Sequence, residues 1–230
     1  MYKKNTFLAI IPARGGSKRL LNKNKKKFND KPLINWSINA AKKSKYIDSI
    51  IVSSDDDEIL SIAENQDVDI LKRPSFLAND TSSTEDTLIY TLEKIEDSFD
   101  FLLVLQPTSP LRTSLDIDQA IEMLMEKKGN SVVSVCKEKH SSFLYNTLPE
   151  SGLMDNFNSE SLRKKKEQDI EVNYRLNGAI YIIKISNFVL NKTLIPNKTY
   201  AYKMDITRSI DIDTMYDFVC AEAIMRSKKL

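Results

Sequence analysis

A segment near the start of the chain combines an adjacent pair of glycines with many cationic side chains. Between Arg14 and Lys27 there are seven lysines and arginines and no acidic residue. The chain has only five glycines, where about 16 would be usual, and two of them, Gly15 and Gly16, stand here. Such a pair predicts backbone with positive φ or close approach to a ligand. Backbone amides beside cationic side chains are typical of a phosphate-binding loop.

Two aspartates near the end of the chain have the spacing of a metal site. Asp211 and Asp213 are separated by one residue in a segment that we expect to be extended, so their carboxylates share one face. Two oxygen ligands suit Mg²⁺, which keeps its other positions for water and substrate phosphates. The alternative is that Asp213 or Thr214 caps the final helix. A second cluster, Asp55–Asp57, is explained by capping of the helix that follows it.

A proline-containing loop, LQPTSPLR, runs from Leu105 to Arg112. Gln106 comes directly after an apolar run, where its amide would face the crevice at the carboxyl ends of the strands. Pro107 and Pro110 stiffen the loop and end the strand. The alternative is a rigid turn without a ligand. We expect Arg112 to have a structural role.

Several other functional classes are disfavoured. The glycine segment matches neither the G-x-G-x-x-G nor the G-x-x-x-x-G-K-[ST] pattern. His140 is the only histidine, in a polar stretch where a structural or solvated role is expected. No Ser/His/Asp or Cys/His arrangement and no CxxC zinc spacing can be argued. A net charge of +2 is too balanced for a general nucleic-acid binder.

The composition also predicts the compartment. No apolar run approaches the ~18 residues of a membrane span, and the N-terminal stretch lacks the apolar region of a signal peptide. Cys136 and Cys220 lie far apart in apolar contexts, which indicates buried thiols rather than a disulfide. We therefore expect a cytoplasmic protein with no membrane partner.

The elements that must position these residues follow from short apolar runs. Runs of this kind, without clean alternation, predict strands buried on both faces of a sheet: Phe7–Ile11, Ile50–Val52, Phe101–Leu105, Val132–Val135 and Ala179–Ile183. Helical periodicity lies between and after them: Pro32–Ala41 with Pro32 in the first turn, Glu58–Ala63, a helix capped by a Ser82/Glu85 box and continuing to Ile95, Ile117–Met125, and Met215–Ile224. The alternation predicts an α/β fold with a mostly parallel, doubly wound, Rossmann-like sheet.

One stretch breaks this alternation. Residues 138–175 are polar and too long for an ordinary loop. We interpret them as an insertion that projects from a single domain spanning residues 1–230 and that contributes to a dimer.

The chain resembles the acylneuraminate cytidylyltransferases, or CMP-sialic acid synthetases. The motifs that carry the resemblance occur in the family's order along nearly the whole chain: IPARGGSKRLLNKN (Ile11–Asn24), Ser53–Asp56, Arg73-Pro74 with Leu77–Thr81, LQPTSPLR (Leu105–Arg112), Asn177–Tyr181 and Ser209–Asp213. One such motif would be weak, whereas the ordered set is specific. The resemblance implies a nucleotidyltransferase fold, a homodimer, and the reaction of CTP with a nonulosonic acid to give a CMP-sugar and pyrophosphate for surface glycan synthesis.

The resemblance also implies roles for residues of this sequence. Arg73 and Thr84 are expected to contact the cytosine, where Thr84 replaces the serine that is usual in the family. The full set of residues assigned to nucleotide binding is Ala13, Arg14, Gly15, Gly16, Ser17, Asn24, Arg73 and Thr84. Arg14, Lys23 and Asp211 are the candidate catalytic residues, Asp211 and Asp213 the candidate Mg²⁺ ligands, and Gln106 contacts the sugar. The family often has an R-Q stretch from the partner subunit at the sugar carboxylate. Here the chain reads RKKKEQ (Arg163–Gln168), so Arg175 is the better-placed cation.

The implied mechanism is direct nucleotidyl transfer, in which the anomeric hydroxyl attacks the α-phosphorus of CTP. Mg²⁺ with Arg14 and Lys23 would offset the repulsion between two anionic substrates. Legionaminic and pseudaminic acids remain open as alternative sugars, whereas 3-deoxy-manno-octulosonic acid is disfavoured by the glycine-loop pattern. A non-catalytic nucleotide-binding protein is the rival from another class.

Overall fold

The structure is a computed structural model that describes residues 2, 4–79, 81–139, 145–155, 157 and 172–228. Its centre is a seven-stranded sheet with the strand order β5-β4-β1-β6-β8-β7-β9. The strands are β1 (Phe7–Pro12), β4 (Ser49–Ser54), β5 (Asp69–Lys72), β6 (Phe101–Val104), β7 (Ser131–Lys137), β8 (Tyr174–Lys184) and β9 (Thr199–Met204). Two further short strands, β2 (Lys27–Phe28) and β3 (Lys31–Pro32), form a separate hairpin.

All five predicted strands are present, and the mostly parallel sheet is confirmed. β5, β4, β1 and β6 are parallel to one another, as are β7 and β9, but β8 runs antiparallel to both of its neighbours. β5 and β9 were not predicted. Both lie at sheet edges and carry mostly exposed or alternating residues, so neither shows the continuous apolar run of a central strand.

Helices cover both faces of the sheet, as the sequence predicts. They are α1 (Leu33–Lys42), α2 (Asp57–Glu64), α3 (Thr84–Glu93), α4 (Ser114–Lys127), α5 (Ile185–Asn191) and α6 (Met215–Lys228). Among the helices of the described residues, only α5 was not predicted. Strand β1 shows the two-sided burial directly, since Phe7, Ala9 and Ile11 belong to one core cluster and Leu8 and Ile10 to the other.

Two predicted helix starts are wrong by one residue. Pro32 pairs with Lys27 in the β2–β3 hairpin and precedes α1 instead of opening its first turn. The cap of α3 is Ser83, whose hydroxyl accepts the Asp86 N–H at 3.0 Å. Ser82 instead donates to the Phe76 carbonyl at 2.6 Å, because the turn before α3 uses its hydroxyl.

A third apolar cluster lies beside the sheet and includes residues of the last helix, α6. It joins Phe28 and Leu33 to Phe218 of α6, with the Phe28 and Phe218 rings edge to face at 5.2 Å. Leu20, Leu111 and Ile212 also belong to it. These three residues come from the three sequence segments with candidate chemistry, so one cluster fixes their relative positions.

Several predictions fall on parts of the chain that the structure does not describe. Residues 140–144, 156 and 158–171 lie outside the described residues, and they include His140 and Arg163–Gln168. The single domain and the projecting dimerisation insertion at 138–175 therefore stay predictions. Within the described ranges, no helix has the length and apolar character needed to cross a bilayer.

The two cysteines are free, as predicted, but only one is buried. Cys136 is fully buried in β7, whereas Cys220 is partly exposed on α6. The prediction of burial is therefore wrong for Cys220. The apolar residues around Cys220 in the sequence suggested burial, but its neighbour Val219 points to solvent and is 53% exposed.

Candidate active site

A cleft of about 350 Å³ opens beyond the carboxyl ends of β1, β5 and β6. Most of the residues predicted from the sequence line it: Arg14, Ser17, Lys23, Asn24, Arg73, Thr84, Gln106, Asp211 and Asp213. The structure thus brings together the basic segment, the proline-containing loop and the aspartate pair. Ala13, Gly15, Gly16 and Arg175 do not line the cleft. Ser83 and Thr87 also line the cleft, although no sequence pattern predicts a role for either.

Lys23 connects the basic segment to the aspartate pair. It opens a short 3-10 helix, Lys23–Lys25, and its Nζ donates to the Ile212 carbonyl at 2.6 Å and to Asp213 Oδ1 at 3.1 Å. Arg19 Nη2 lies 3.1 Å from the other oxygen of Asp213. Two cations thus converge on one carboxylate at the edge of the cleft.

Asn24 holds the basic segment in shape. Its side chain is buried, and Nδ2 donates to the Arg14 carbonyl at 2.9 Å. Its Oδ1 is buried and has no hydrogen-bond partner among the described residues. Buried polar atoms are rarely left unpaired, so this oxygen is available to a donor from a ligand.

The glycine pair differs from its prediction. Neither Gly15 nor Gly16 has positive φ; in the described parts of the chain the glycines that do are Gly152 and Gly178. Gly15 N–H donates to Asp55 Oδ1 at 3.0 Å, and a Cβ at Gly15 would lie 2.7 Å from Asp56 Oδ2. Its close approach is therefore to the turn after β4. A ligand-facing role stays a prediction for Gly16, where a Cβ would meet nothing within 4 Å.

We expect Gly15→Ala to destabilise the fold and Gly16→Ala to leave its stability unchanged. The Cβ at position 15 would lie 2.8 Å from Asp56 Cβ, so the backbone must move, at a cost of about 1–3 kcal/mol. Thermal melts of the two variants provide matched tests. Equal melting temperatures would contradict this account of Gly15.

Arg73 lines one end of the cleft from a largely buried position just after β5. Its Nη1 donates to Thr87 Oγ1 at 3.4 Å, and its Nη2 lies 3.9 Å from Asp55 Oδ1. Burial lowers the pKa of Arg73 below its ordinary value, and the charge of Arg14 lowers it further, while Asp55 opposes this shift. Thr84, the first residue of α3, lines the same end of the cleft.

Gln106 is fixed from three sides. Its carbonyl accepts from Ser37 Oγ at 3.2 Å and from Arg112 Nη1 at 3.3 Å. Arg112 also donates to the Ala179 carbonyl at 2.8 Å, and burial lowers its pKa to about 10. Its predicted structural role is thus confirmed. Gly178 has a φ of 71°, and a Cβ there would lie 2.7 Å from Gln106 Oε1, so glycine allows the amide to pack against β8.

Asp211 is a partly buried carboxylate with one buried, unpaired oxygen. Burial raises its pKa above the ordinary value, the charge of Asp213 raises it further, and a hydrogen bond from Thr108 partly offsets the rise. Its Oδ1 has no partner among the described residues. Thr108 was not predicted as a site residue, although it lies within the LQPTSPLR loop. Its carbonyl also accepts the Ile212 N–H at 2.8 Å.

The alternative role of Asp213 as a helix cap is excluded. Asp217 Oδ2 accepts the Thr214 N–H at 2.8 Å and the Thr214 hydroxyl at 2.7 Å, and Asp217 N–H donates back to Thr214 at 3.3 Å. This reciprocal pair caps α6. The Asp213 carboxylate is therefore not the helix cap and pairs with cations instead.

Asp211 fits a divalent cation that shares its ligands with a substrate, whereas the two oxygens of Asp213 pair with Lys23 and Arg19. Among the described residues, no group of three or more His, Cys, Asp or Glu side chains could hold a metal ion. The unpaired Oδ1 and raised pKa of Asp211 are what a carboxylate lacking its counter-cation should show. Mg²⁺ is often held by one or two carboxylates together with substrate phosphates.

Arg175 lies on β8 near this pair but outside the lining of the cleft. Its Nε is 3.2 Å from Glu138 Oε2, and its Nη2 donates to the Ser209 carbonyl at 3.3 Å. Its charge lowers the pKa of Asp211, which places it within electrostatic reach. Its predicted contact with a sugar carboxylate stays a prediction.

Sequence comparisons identify a family and individual relatives that this chain is similar to. Residues 8–224 match the family described as Cytidylyltransferase. The chain is 34% identical to an N-acylneuraminate cytidylyltransferase of Escherichia coli O18:K1:H7, over 98% of this chain and 53% of that protein. It is 34% identical to a CMP-N,N'-diacetyllegionaminic acid synthase of Legionella pneumophila, over 95% of this chain and 96% of that protein. The chain thus spans about half of the first relative and nearly all of the second.

Solved structures show the same fold at low sequence identity. A CMP:2-keto-3-deoxy-manno-octonic acid synthetase complexed with CTP superposes with a TM-score of 0.74 at 15% identity, covering 97% of this chain and 100% of that one. A 4-diphosphocytidyl-2C-methyl-D-erythritol synthase from Anaerococcus prevotii gives 0.65 at 15% identity, covering 96% and 99%. These similarities confirm the Rossmann-like fold.

Proposed function

Because the chain belongs to the cytidylyltransferase family, we propose that it transfers CMP from CTP to the anomeric hydroxyl of a nonulosonic, sialic-type acid and releases pyrophosphate. The observation that carries this proposal is the single cleft that unites Lys23, Gln106 and Asp211. It offers cations for phosphates, an amide for a sugar and carboxylates for a divalent cation. The product would serve surface glycan synthesis.

The chemistry in this proposal is direct transfer without a covalent enzyme intermediate. Arg14 and Lys23 bind the triphosphate and hold charge that develops on the transferring group. Asn24 offers its unpaired Oδ1 to a donor such as the ribose hydroxyls. Asp211 and Asp213 would hold Mg²⁺, which supplies charge neutralisation between the phosphates and the acidic sugar when bound. Catalysis is then mostly positioning and electrostatics.

The two substrates bind at opposite ends of the cleft. Arg73 and Thr84 bind the cytosine, because donors from Arg73 match the acceptor atoms of the base. Gln106 binds the sugar, held by Arg112 and Gly178 at the other end. Arg175 attracts the sugar carboxylate.

The relatives support several related sugars. The Escherichia coli relative is named for N-acylneuraminate and the Legionella pneumophila relative for N,N'-diacetyllegionaminic acid. A Campylobacter coli flagellin modification protein is also 31% identical, over 97% of each chain. Legionaminic acid is therefore an alternative substrate, and pseudaminic acid stays open because its synthetases share the sequence signatures. The likeness to the octonic acid synthetase shows the fold alone.

Pyrophosphate release from CTP, with and without an acidic sugar, tests the proposed function against a non-catalytic nucleotide-binding role. We expect release only when CTP, a divalent cation and a suitable nonulosonic acid are all present. Release without sugar would indicate a CTP hydrolase. No release with any such sugar would favour a binding protein.

We further propose a homodimer in which the 138–175 insertion of one copy lies near the active site of the other. Apolar side chains are exposed along the described parts of this insertion and at its base: Tyr145, Leu148, Leu153, Met154, Val172, Tyr174 and Leu176. We expect light scattering to give the mass of a dimer. A fully active monomer at the assay concentration would contradict the proposal.

We place the reaction in the cytoplasm. The support is the chemistry of Cys136 and Cys220, which are both free thiols in the structure.

A further inference from the structure

The turn after β4 places three neighbouring aspartates in three different environments. Asp56 accepts two N–H groups from the first turn of α2 and caps that helix. Asp57 is exposed and pairs with an exposed lysine at 2.6 Å. Asp55 does neither, since its Oδ1 accepts the Gly15 N–H at 3.0 Å and lies 3.9 Å from Arg73 Nη2. Helix capping therefore explains Asp56 but leaves Asp55 unexplained.

Asp55 faces a guanidinium that has few other partners. The Arg73 side chain is only 5% exposed, and its Nε has no hydrogen-bond partner among the described residues. Its other contact is a long hydrogen bond of 3.4 Å to the Thr87 hydroxyl. Within the described ranges, Asp55 is the carboxylate that pairs with Arg73. A buried cation without a counter-charge is costly, so Asp55 holds Arg73 in its position.

We propose that Asp55 is a positioning residue that fixes Arg73 and the Gly15 backbone relative to each other and so sets the preference for cytosine over uracil. This inference rests on the proposed function, in which Arg73 contacts the base. A guanidinium can only donate hydrogen bonds. Cytosine N3 is an acceptor, whereas uracil N3 carries a hydrogen. A donor held in place therefore favours cytosine, and a donor free to move loses the distinction.

The hydrogen bond of Asp55 to Gly15 and its ion pair with Arg73 also connect opposite parts of the proposed nucleotide site. Gly15 belongs to the basic segment proposed for the phosphates, and Arg73 belongs to the end proposed for the base. One carboxylate thus sets the distance between the two binding elements. Its loss should affect the binding of the nucleotide more than the chemical step.

Asp55→Asn separates the two contacts. The asparagine oxygen can still accept the Gly15 N–H, but the charge opposite Arg73 is gone. Asp55→Ala removes both contacts, and Asp57→Asn is the matched control on the exposed neighbour. The measurement is calorimetric binding of CTP and of UTP to each variant, with Mg²⁺ and without any sugar, beside a thermal melt.

We expect Asp55→Asn to reduce the ratio of CTP to UTP affinity by about 10-fold, as the loss of a charge-assisted contact would, while Asp57→Asn keeps the parent ratio. An unchanged ratio of CTP to UTP affinity in Asp55→Asn would overturn the inference. This also holds if both affinities and the melting temperature fall together, because the preference for cytosine would then be intact. The Asn variant decides the question even where the Ala variant fails to fold.

This test remains separate from the test of the overall reaction. A parent protein that prefers CTP but releases no pyrophosphate with any acidic sugar contradicts the proposed function, and the Asp55 inference is still decided by the binding ratio. A parent protein with no preference for CTP over UTP overturns the Asp55 inference.

Discussion

Replacing Asp211 by asparagine should lower turnover at least about 100-fold, because the loss of a metal ligand removes several kcal/mol of transition-state stabilisation. Asparagine keeps the size of the side chain but cannot carry the charge that a divalent cation requires. The unpaired Oδ1 of Asp211 is the atom on which this expectation depends. Pyrophosphate release across a Mg²⁺ titration measures the effect, and Asp213→Asn should show a loss in the same direction.

The same substitution should leave the protein as stable as the parent at neutral pH, or more stable. Burial raises the pKa of Asp211, so the folded state binds its proton more tightly than the unfolded state. Ionised Asp211 therefore destabilises the fold above that raised pKa, and the penalty disappears as the pH falls through it. Thermal melts should show the advantage of the Asn variant at neutral pH and lose it in acid.

These two readouts separate a metal ligand from a structural residue. Asp213→Asn cannot act through helix capping, since Thr214 and Asp217 cap α6. Near-normal turnover of Asp211→Asn at low Mg²⁺, or full activity of the parent in excess EDTA, would refute the metal role.

Lys23→Ala should reduce kcat/KM for CTP by about 10–100-fold, the cost of a lost charge-assisted contact. The loss in kcat/KM should be closer to 100-fold than to 10-fold, because Lys23 also donates to the Ile212 carbonyl at 2.6 Å and to Asp213 at 3.1 Å. Its removal should therefore loosen the aspartate pair as well as remove the proposed phosphate contact.

Steady-state kinetics with CTP as the varied substrate provide the measurement. Lys27→Ala is the matched control, because Lys27 is an exposed lysine of the same basic segment and does not line the cleft. Equal activity of the Lys23 and Lys27 variants would contradict the assignment of Lys23.

The sequence predicted the central strands well because they are continuous apolar runs. Phe7–Ile11 is buried throughout and lies in the middle of the sheet. β5 could not be recognised in the same way, since only one of its four residues is even partly buried. The direction of β8 was also not predictable, because a short apolar core shows burial but not the direction of the neighbouring strands.

The candidate site was likewise predictable only in part. Gln106 and the aspartate pair were predicted from strand ends and spacing, and all three line the cleft. The reason predicted for Gly15 was mistaken, because its constraint is the Asp56 side chain, which lies 41 residues away in the chain and is not visible to local sequence patterns. The contacts of Asp55 with Gly15 and Arg73 were missed for the same reason, since three consecutive aspartates before a helix resemble a simple cap.

The central claim is that this chain makes a CMP-sugar from CTP and an acidic sugar. The most direct test incubates the protein with CTP, Mg²⁺ and, separately, N-acetylneuraminic, legionaminic or pseudaminic acid, and measures CMP-sugar by mass spectrometry together with pyrophosphate. We predict that at least one of these sugars yields both products in equal amounts. Pyrophosphate without a CMP-sugar, or neither product with any of the three, would contradict the account.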